Sequence, residues 1–160
     1  MDALDRIKEQ WEVERPELNT VPMQILGRMA RIYKYAEGNI SQCHHKYGIK
    51  IGEFDVLATL LRSGKPYQLT PSELLSQLLL TSGAMTNRMT RLEDKGLIER
   101  AHSVEDRRSV MVKLTTEGRL LINTALTEHV VKQQQLTSSL TEQEQQQMNH
   151  LLTKWLKEWE

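Results

Sequence analysis

The chain has 160 residues, and its 21 Lys and Arg cancel 21 Asp and Glu to a net charge of zero. That size carries one ordinary domain or two small modules, and 39% apolar with 26% charged residues excludes a disordered tail. A single cysteine excludes an internal disulfide framework and multi-cysteine metal sites and fits a reducing compartment.

The zero sum hides a pattern. Residues 1–20 carry three basic and six acidic side chains, whereas residues 28–50 carry five basic and one acidic. Residues 81–119 have eight basic against six acidic, and residues 120–160 have three against five. Neutrality argues against a generally adhesive polycation and leaves room for a local basic face. The N-terminus has no basic start followed by an apolar stretch, and no run reaches membrane-spanning length, so a cytoplasmic location without membrane contact is expected.

In chain order, residues 3–14 form a charged helical segment containing Trp11 that stops near Pro16. Ile25, Met29, Ile32, Ala36, Ile40, Cys43 and Tyr47 recur every three or four positions, which predicts a long amphipathic helix ended by Gly48. Phe54, Leu57, Ala58 and Leu61 mark a buried helix over 53–62, broken by Ser63-Gly64-Lys65-Pro66 and followed by a short extended stretch from Tyr67 to Leu69. Thr70-Pro71-Ser72-Glu73 is a helix start, because the Thr hydroxyl caps the third amide, Pro fits the first turn and Glu reaches back to the cap. That helix runs to about Leu79.

After Ser82-Gly83 a further helix places Met85, Met89 and Leu92 on one face, and Lys95-Gly96 closes it. Residues 97–100 and Val110 to Leu114 read as two strands joined by a charged turn. Thr115-Thr116-Glu117-Gly118 opens a helix carried by Leu120, Leu121, Ala125, Leu126 and Val130. Thr141 to Glu144 is a second capping box, opening a helix whose stripe of Met148, Leu151, Leu152, Trp155, Leu156 and Trp159 is read either as intramolecular core or as a subunit interface.

The order helix, turn, helix, strand, charged loop, strand is that of a mainly α, winged helix-turn-helix fold with a two-stranded wing, in which the second helix enters the DNA major groove. The exposed residues of that helix suit DNA contact. Asn87 can pair with an adenine edge, Ser82 and Thr86 can contact bases or phosphates, and Arg91 can neutralise phosphate. Arg107 and Arg108 sit side by side in the wing, and arginine suits the negative potential of a narrow minor groove. Cys43-His44-His45 invites a metal or redox reading, but adjacent helical residues diverge by about 100°, and Cys43 falls on the apolar stripe. No metal, cofactor or catalytic residue is expected, since nucleophile-elbow, phosphate-loop and zinc-protease motifs are missing from the sequence.

Residues 92–100 (LEDKGLIER), Asp106-Arg107-Arg108-Ser109 and residues 112–118 (VKLTTEG) closely resemble the MarR family of bacterial regulators. The resemblance spans nearly the whole chain and is sharpest from Gly52 to Gly118. It implies a homodimer built from N- and C-terminal helices (residues 1–47 and 119–160) around a winged DNA-binding domain (48–118) that binds a palindromic double-stranded operator. It further implies that Asp106 holds the wing arginines and that Arg108 enters the minor groove. The wing segment Ser103-Val104-Glu105 lacks the proline common there. Trp11 in the added N-terminal helix, Asp55 and Arg88 match the ligand-binding set of the urate-responsive (PecS-like) branch. There the guanidinium would take a planar anion, the indole would offer a flat face and a donor, and Asp55 would accept ring N–H groups. An effector on Arg88 would pull on the reading helix, so a ligand-released repressor is the leading expectation. The competing readings are a helical dimer whose winged lobe makes protein contacts only, and a MarR-type regulator answering a redox, metal or phenolic signal.

Overall fold

A computed structural model describes residues 1–78, 82–102 and 110–160. Among them lie α1 (Ala3–Glu14), α2 (Val21–His45), α3 (Ile51–Arg62), β1 (Gln68–Leu69), α4 (Pro71–Leu78), α5 (Ser82–Asp94), β2 (Ile98–His102), β3 (Val110–Leu114), α6 (Thr116–Thr137) and α7 (Glu142–Leu156). The chain divides into two compact units, residues 1–39 and 40–160.

In the first unit, the Asp2 carboxylate accepts from the amides of Leu4 (2.7 Å) and Asp5 (3.0 Å), while Asp5 accepts the Asp2 amide at 2.8 Å. This box satisfies donors that a helix start otherwise leaves unpaired. Arg28 on α2 pairs with Asp2 (2.8 Å) and Asp5 (2.5 Å), and Leu4 lies on Gly27, where a Cβ would stand 2.7 Å from its Cδ1. A small residue on α2 and two carboxylates on α1 thus seat one helix on the other. α2 begins at Val21, ahead of the expected Ile25. Pro22 explains the difference, since its missing amide costs nothing in a first turn, and Asn19 Oδ1 accepts the Val21 amide at 3.1 Å.

The second unit holds the winged helix-turn-helix. One buried cluster joins Phe54, Val56, Leu57 and Leu60 of α3, Leu74 of α4, Met85, Met89 and Leu92 of α5, Val112 and Leu114 of β3, and Ile122 and Ala125 of α6. Thr70 and Glu73 make the expected reciprocal cap at 2.7 and 3.2 Å, and Thr141 with Glu144 repeats it at 2.8 and 3.3 Å. Gly96 takes φ 67°, which a left-handed turn after α5 requires.

The sheet is antiparallel in the order β1-β3-β2, one strand more than the expected wing. The extended stretch before α4 supplies it, pairing Gln68 with Lys113 and Leu69 with Val112 along the edge of β3 left open by β2. β2 continues past Arg100 to His102, because Val110 is there to pair with it. α7 departs from the intramolecular-core reading: none of its residues is buried, Leu151 is 63% exposed, and Trp159, just past its end, is 79% exposed. Its apolar stripe finds no cover within the second unit among the described residues. Ile25, Met29 and Ile32 of α2 are likewise exposed.

The joint between α5, the sheet and α6 is tight. Thr115 Oγ1 donates to the Gly96 carbonyl at 2.7 Å and accepts the Gly118 amide at 3.0 Å, and a Cβ on Gly118 would collide with the Leu97 carbonyl. The obstacle is backbone, which cannot swing aside. Gly118→Ala is therefore expected to lower unfolding free energy by about 2 kcal/mol or more, read as a lower urea midpoint at unchanged slope.

Candidate nucleic-acid interface and the Arg88 junction

α5 is two-faced. Met85, Met89 and Leu92 are buried, whereas Thr86, Asn87, Thr90 and Arg91 are exposed. The apolar positions recur at helical spacing, so their burial forces the polar set outward. Of the residues expected to contact DNA, the structure brings Thr86, Asn87 and Arg91 onto this outward face. Ser82 opens the helix, with its side chain outside the described residues. Asp106, Arg107 and Arg108 fall in 103–109, also outside the described residues. α5 is braced towards the sheet by an ion pair between Glu93 and Arg100.

Arg88 lies between the two faces. Its guanidinium rests on the backbone of Gly52 in the first turn of α3, so closely that a Cβ there would collide with Nε, Cζ and Nη2. Only glycine leaves that room. Its Nη1 is buried and has no hydrogen-bond partner among the described residues. Asp55, one turn further along α3, is half-buried. Burial pushes its carboxyl above the usual carboxylate range, against the opposing charges of Arg88 and His129. The junction therefore holds a guanidinium with an unused buried donor beside a carboxyl that is reluctant to ionise. A hydrogen-bond acceptor, a carboxylate or other planar anion among them, would satisfy such a donor. Asp55 and Arg88 come together in the second unit; Trp11, 36% exposed, belongs to α1 in the first.

The sequence profile of the MarR family matches residues 47–109. The transcriptional regulator PecS of Dickeya dadantii is 37% identical over 91% of this chain and 88% of its own length. The chain belongs to the MarR family. The regulator MhqR of Bacillus subtilis is 30% identical over 78% of this chain and 83% of its own. A mutant of E. coli MarR in complex with operator DNA superposes with a TM-score of 0.73 at 29% identity, covering 88% of this chain and 99% of that one.

This MarR-family chain also carries a ring stack that the sequence does not announce. His44 is fully buried; its ring lies 4.0 Å from Phe54 and 5.1 Å from His129, with Nε2 of His44 3.0 Å from Nδ1 of His129. Cys43 is buried, while His45 is exposed, so the three neighbours in sequence face different surroundings. Among the described residues, no group of three or more His, Cys, Asp or Glu is arranged to hold a metal ion. No helix among them is long and apolar enough to cross a membrane.

Burial, with lesser contributions from His129 and His45, pushes the His44 imidazole down from 6.5 to about 4. Its folded value lies below its unfolded one, so between those pH values the unfolded chain binds more protons. Stability from this group is complete above 6.5 and is lost as pH falls towards 4. Asp55, with its raised pKa, acts in the opposite sense. His44→Phe keeps a ring in the stack and removes the titration. The wild type should lose stability between about pH 7 and pH 5, and His44→Phe should lose less, measured by urea midpoints at both values.

Proposed function

We propose that the protein is a homodimeric transcriptional repressor that binds a palindromic operator and is released by a small planar anion such as urate. The observation that carries the reading is the polar face of α5, turned outward by the burial of Met85, Met89 and Leu92 beside a three-stranded sheet. In this reading Ser82, Thr86, Asn87 and Arg91 meet the major groove, and Arg107 and Arg108, held by Asp106, meet the adjoining minor groove. The exposed apolar stripes of α2 and α7 supply the surface for a second copy. Family membership, and a relative solved with operator DNA, support the DNA partner.

Arg88 and Asp55 are the anion's partners in the second unit; Trp11, the third residue expected from the sequence, belongs to the first unit. Support comes from the buried Nη1 of Arg88, which has no hydrogen-bond partner among the described residues, and from the likeness to PecS. Displacing the guanidinium from Gly52 would shift α5, and with it the reading face.

Fluorescence anisotropy on DNA adjoining the protein's own gene tests operator binding. Affinity should fall steeply with salt, and Arg108→Ala should weaken it by about tenfold. Binding indifferent to DNA sequence, or an Arg108→Ala variant equal to wild type, would contradict it. For the effector, urate is titrated into the protein–operator complex. Wild type should release DNA and Arg88→Ala should resist release, whereas Gly52→Ala, which pushes the guanidinium out of its seat, should bind operator more weakly even without urate. The melting temperature of Gly52→Ala should stay within about 4 °C of wild type, because the group to be moved is the end of a flexible side chain.

A further inference from the structure

α5 is tied to α3 at a second point that no DNA contact or ligand accounts for. The Lys95 ammonium, just past the last turn of α5, donates to the Gly48 carbonyl at 2.8 Å and to Glu53 Oε2 at 2.7 Å. Gly48 closes the turn after α2, and Glu53 stands in the first turn of α3, where its Oε2 also accepts the Lys50 amide at 2.9 Å. Glu53 is 2% exposed, and its Oε1 is buried without a hydrogen-bond partner among the described residues. Burial alone would raise the Glu53 carboxyl, but the Lys95 hydrogen bond and charge and the Lys50 amide outweigh it and hold the carboxyl below its ordinary range.

A lysine at the end of a reading helix is ordinarily taken for a phosphate contact. Here the ammonium is already committed to two acceptors on other elements, one of them a buried carboxylate that would otherwise carry an uncompensated charge. Arg88 and Lys95 reach the same first turn of α3, one at Gly52 and the other at the adjacent Glu53. α5 is therefore pinned there at two points, and its apolar face allows sliding that the two cations do not.

We propose that Lys95 and Glu53 form a positioning pair for operator reading: the pair fixes the tilt of α5, and Lys95 spends its charge on Glu53 and Gly48 instead of on DNA. The inference rests on the operator-binding reading above and is independent of the effector.

The test compares wild type, Lys95→Met, Glu53→Gln, the double variant and Lys95→Arg. Affinity is measured for the operator and for a scrambled duplex over a range of salt. The two failures separate cleanly: a wild type that does not prefer operator to scrambled DNA sinks the operator reading itself. Given that preference, each single variant should lose about tenfold in operator affinity and little in scrambled-duplex affinity, at an unchanged salt slope. The double variant should be no worse than either single one, and Lys95→Arg should recover most of the loss. A phosphate contact predicts otherwise: Lys95→Met would weaken both duplexes and reduce the salt slope by about one, and Glu53→Gln would not weaken operator binding. That outcome overturns the proposal, as does wild-type operator affinity in folded single variants. Circular dichroism at the assay temperature reports folding. Should a single variant leave its partner charge buried and unfold, the double variant, which removes both charges, carries the same tenfold expectation.

Discussion

The burial of Met85, Met89 and Leu92 in the cluster shared with Phe54, Val56, Leu57 and Leu60 is the constraint from which the rest of the second unit follows. Each such side chain contributes about 1.5–3 kcal/mol when fully removed from water, so rotating α5 about its axis is costly. With the axis fixed, the polar residues have only one side left to occupy. The sheet completes the frame: Leu97 and Ile98 enter the cluster directly after the Gly96 turn, and Val112 and Leu114 cover it from β3.

Apolar packing of this kind fixes which face is buried more firmly than it fixes slide or tilt, because it has no direction. The directional polar contacts sit at the margins of α5, Lys95 on Glu53 and Gly48 and Glu93 on Arg100, and beside them the Arg88 guanidinium is seated closely against Gly52. A contact built from charge also answers to charge. In the proposed mechanism an anion arriving at Arg88 draws the guanidinium away from the first turn of α3, whereas the buried methionines and leucine are indifferent to it. Under that proposal the division of labour leaves a stable reading helix whose setting a small anion alters.

Much of this was legible in the sequence, because the signals are local. Thr70 with Glu73, Thr141 with Glu144, the left-handed Gly96 and the spacing of Met85, Met89 and Leu92 each state their conformation within a few residues. What escaped depends on distant partners. Tyr67 to Leu69 read as extended, but its pairing with β3 depends on an edge that exists only once the sheet has formed. His44 and His129 meet 85 positions apart, and Lys95 reaches Glu53 across 42. The room for Arg88 comes from the missing side chain of Gly52, which sequence alone shows only as a glycine in a helix. The stripe on α7 was visible as apolar, but whether it meets its own chain or a second copy is not encoded in its period.

Zero net charge accords with this arrangement, since the acidic surplus lies near the two ends of the chain and the basic surplus in two blocks, residues 28–50 and 81–119, the second of which contains the reading helix. In the proposed reading, operator binding then depends on a few placed arginines and on the setting of one helix. In the proposed mechanism, anion occupancy and DNA reading share the α3–α5 junction, and linkage makes that coupling reciprocal. Calorimetric titration of urate into the free protein and into its operator complex measures the coupling most directly. Urate should bind the complex more weakly than the free protein, by the same factor by which saturating urate weakens the operator. Equal urate affinity for the free and DNA-bound protein would contradict the shared junction.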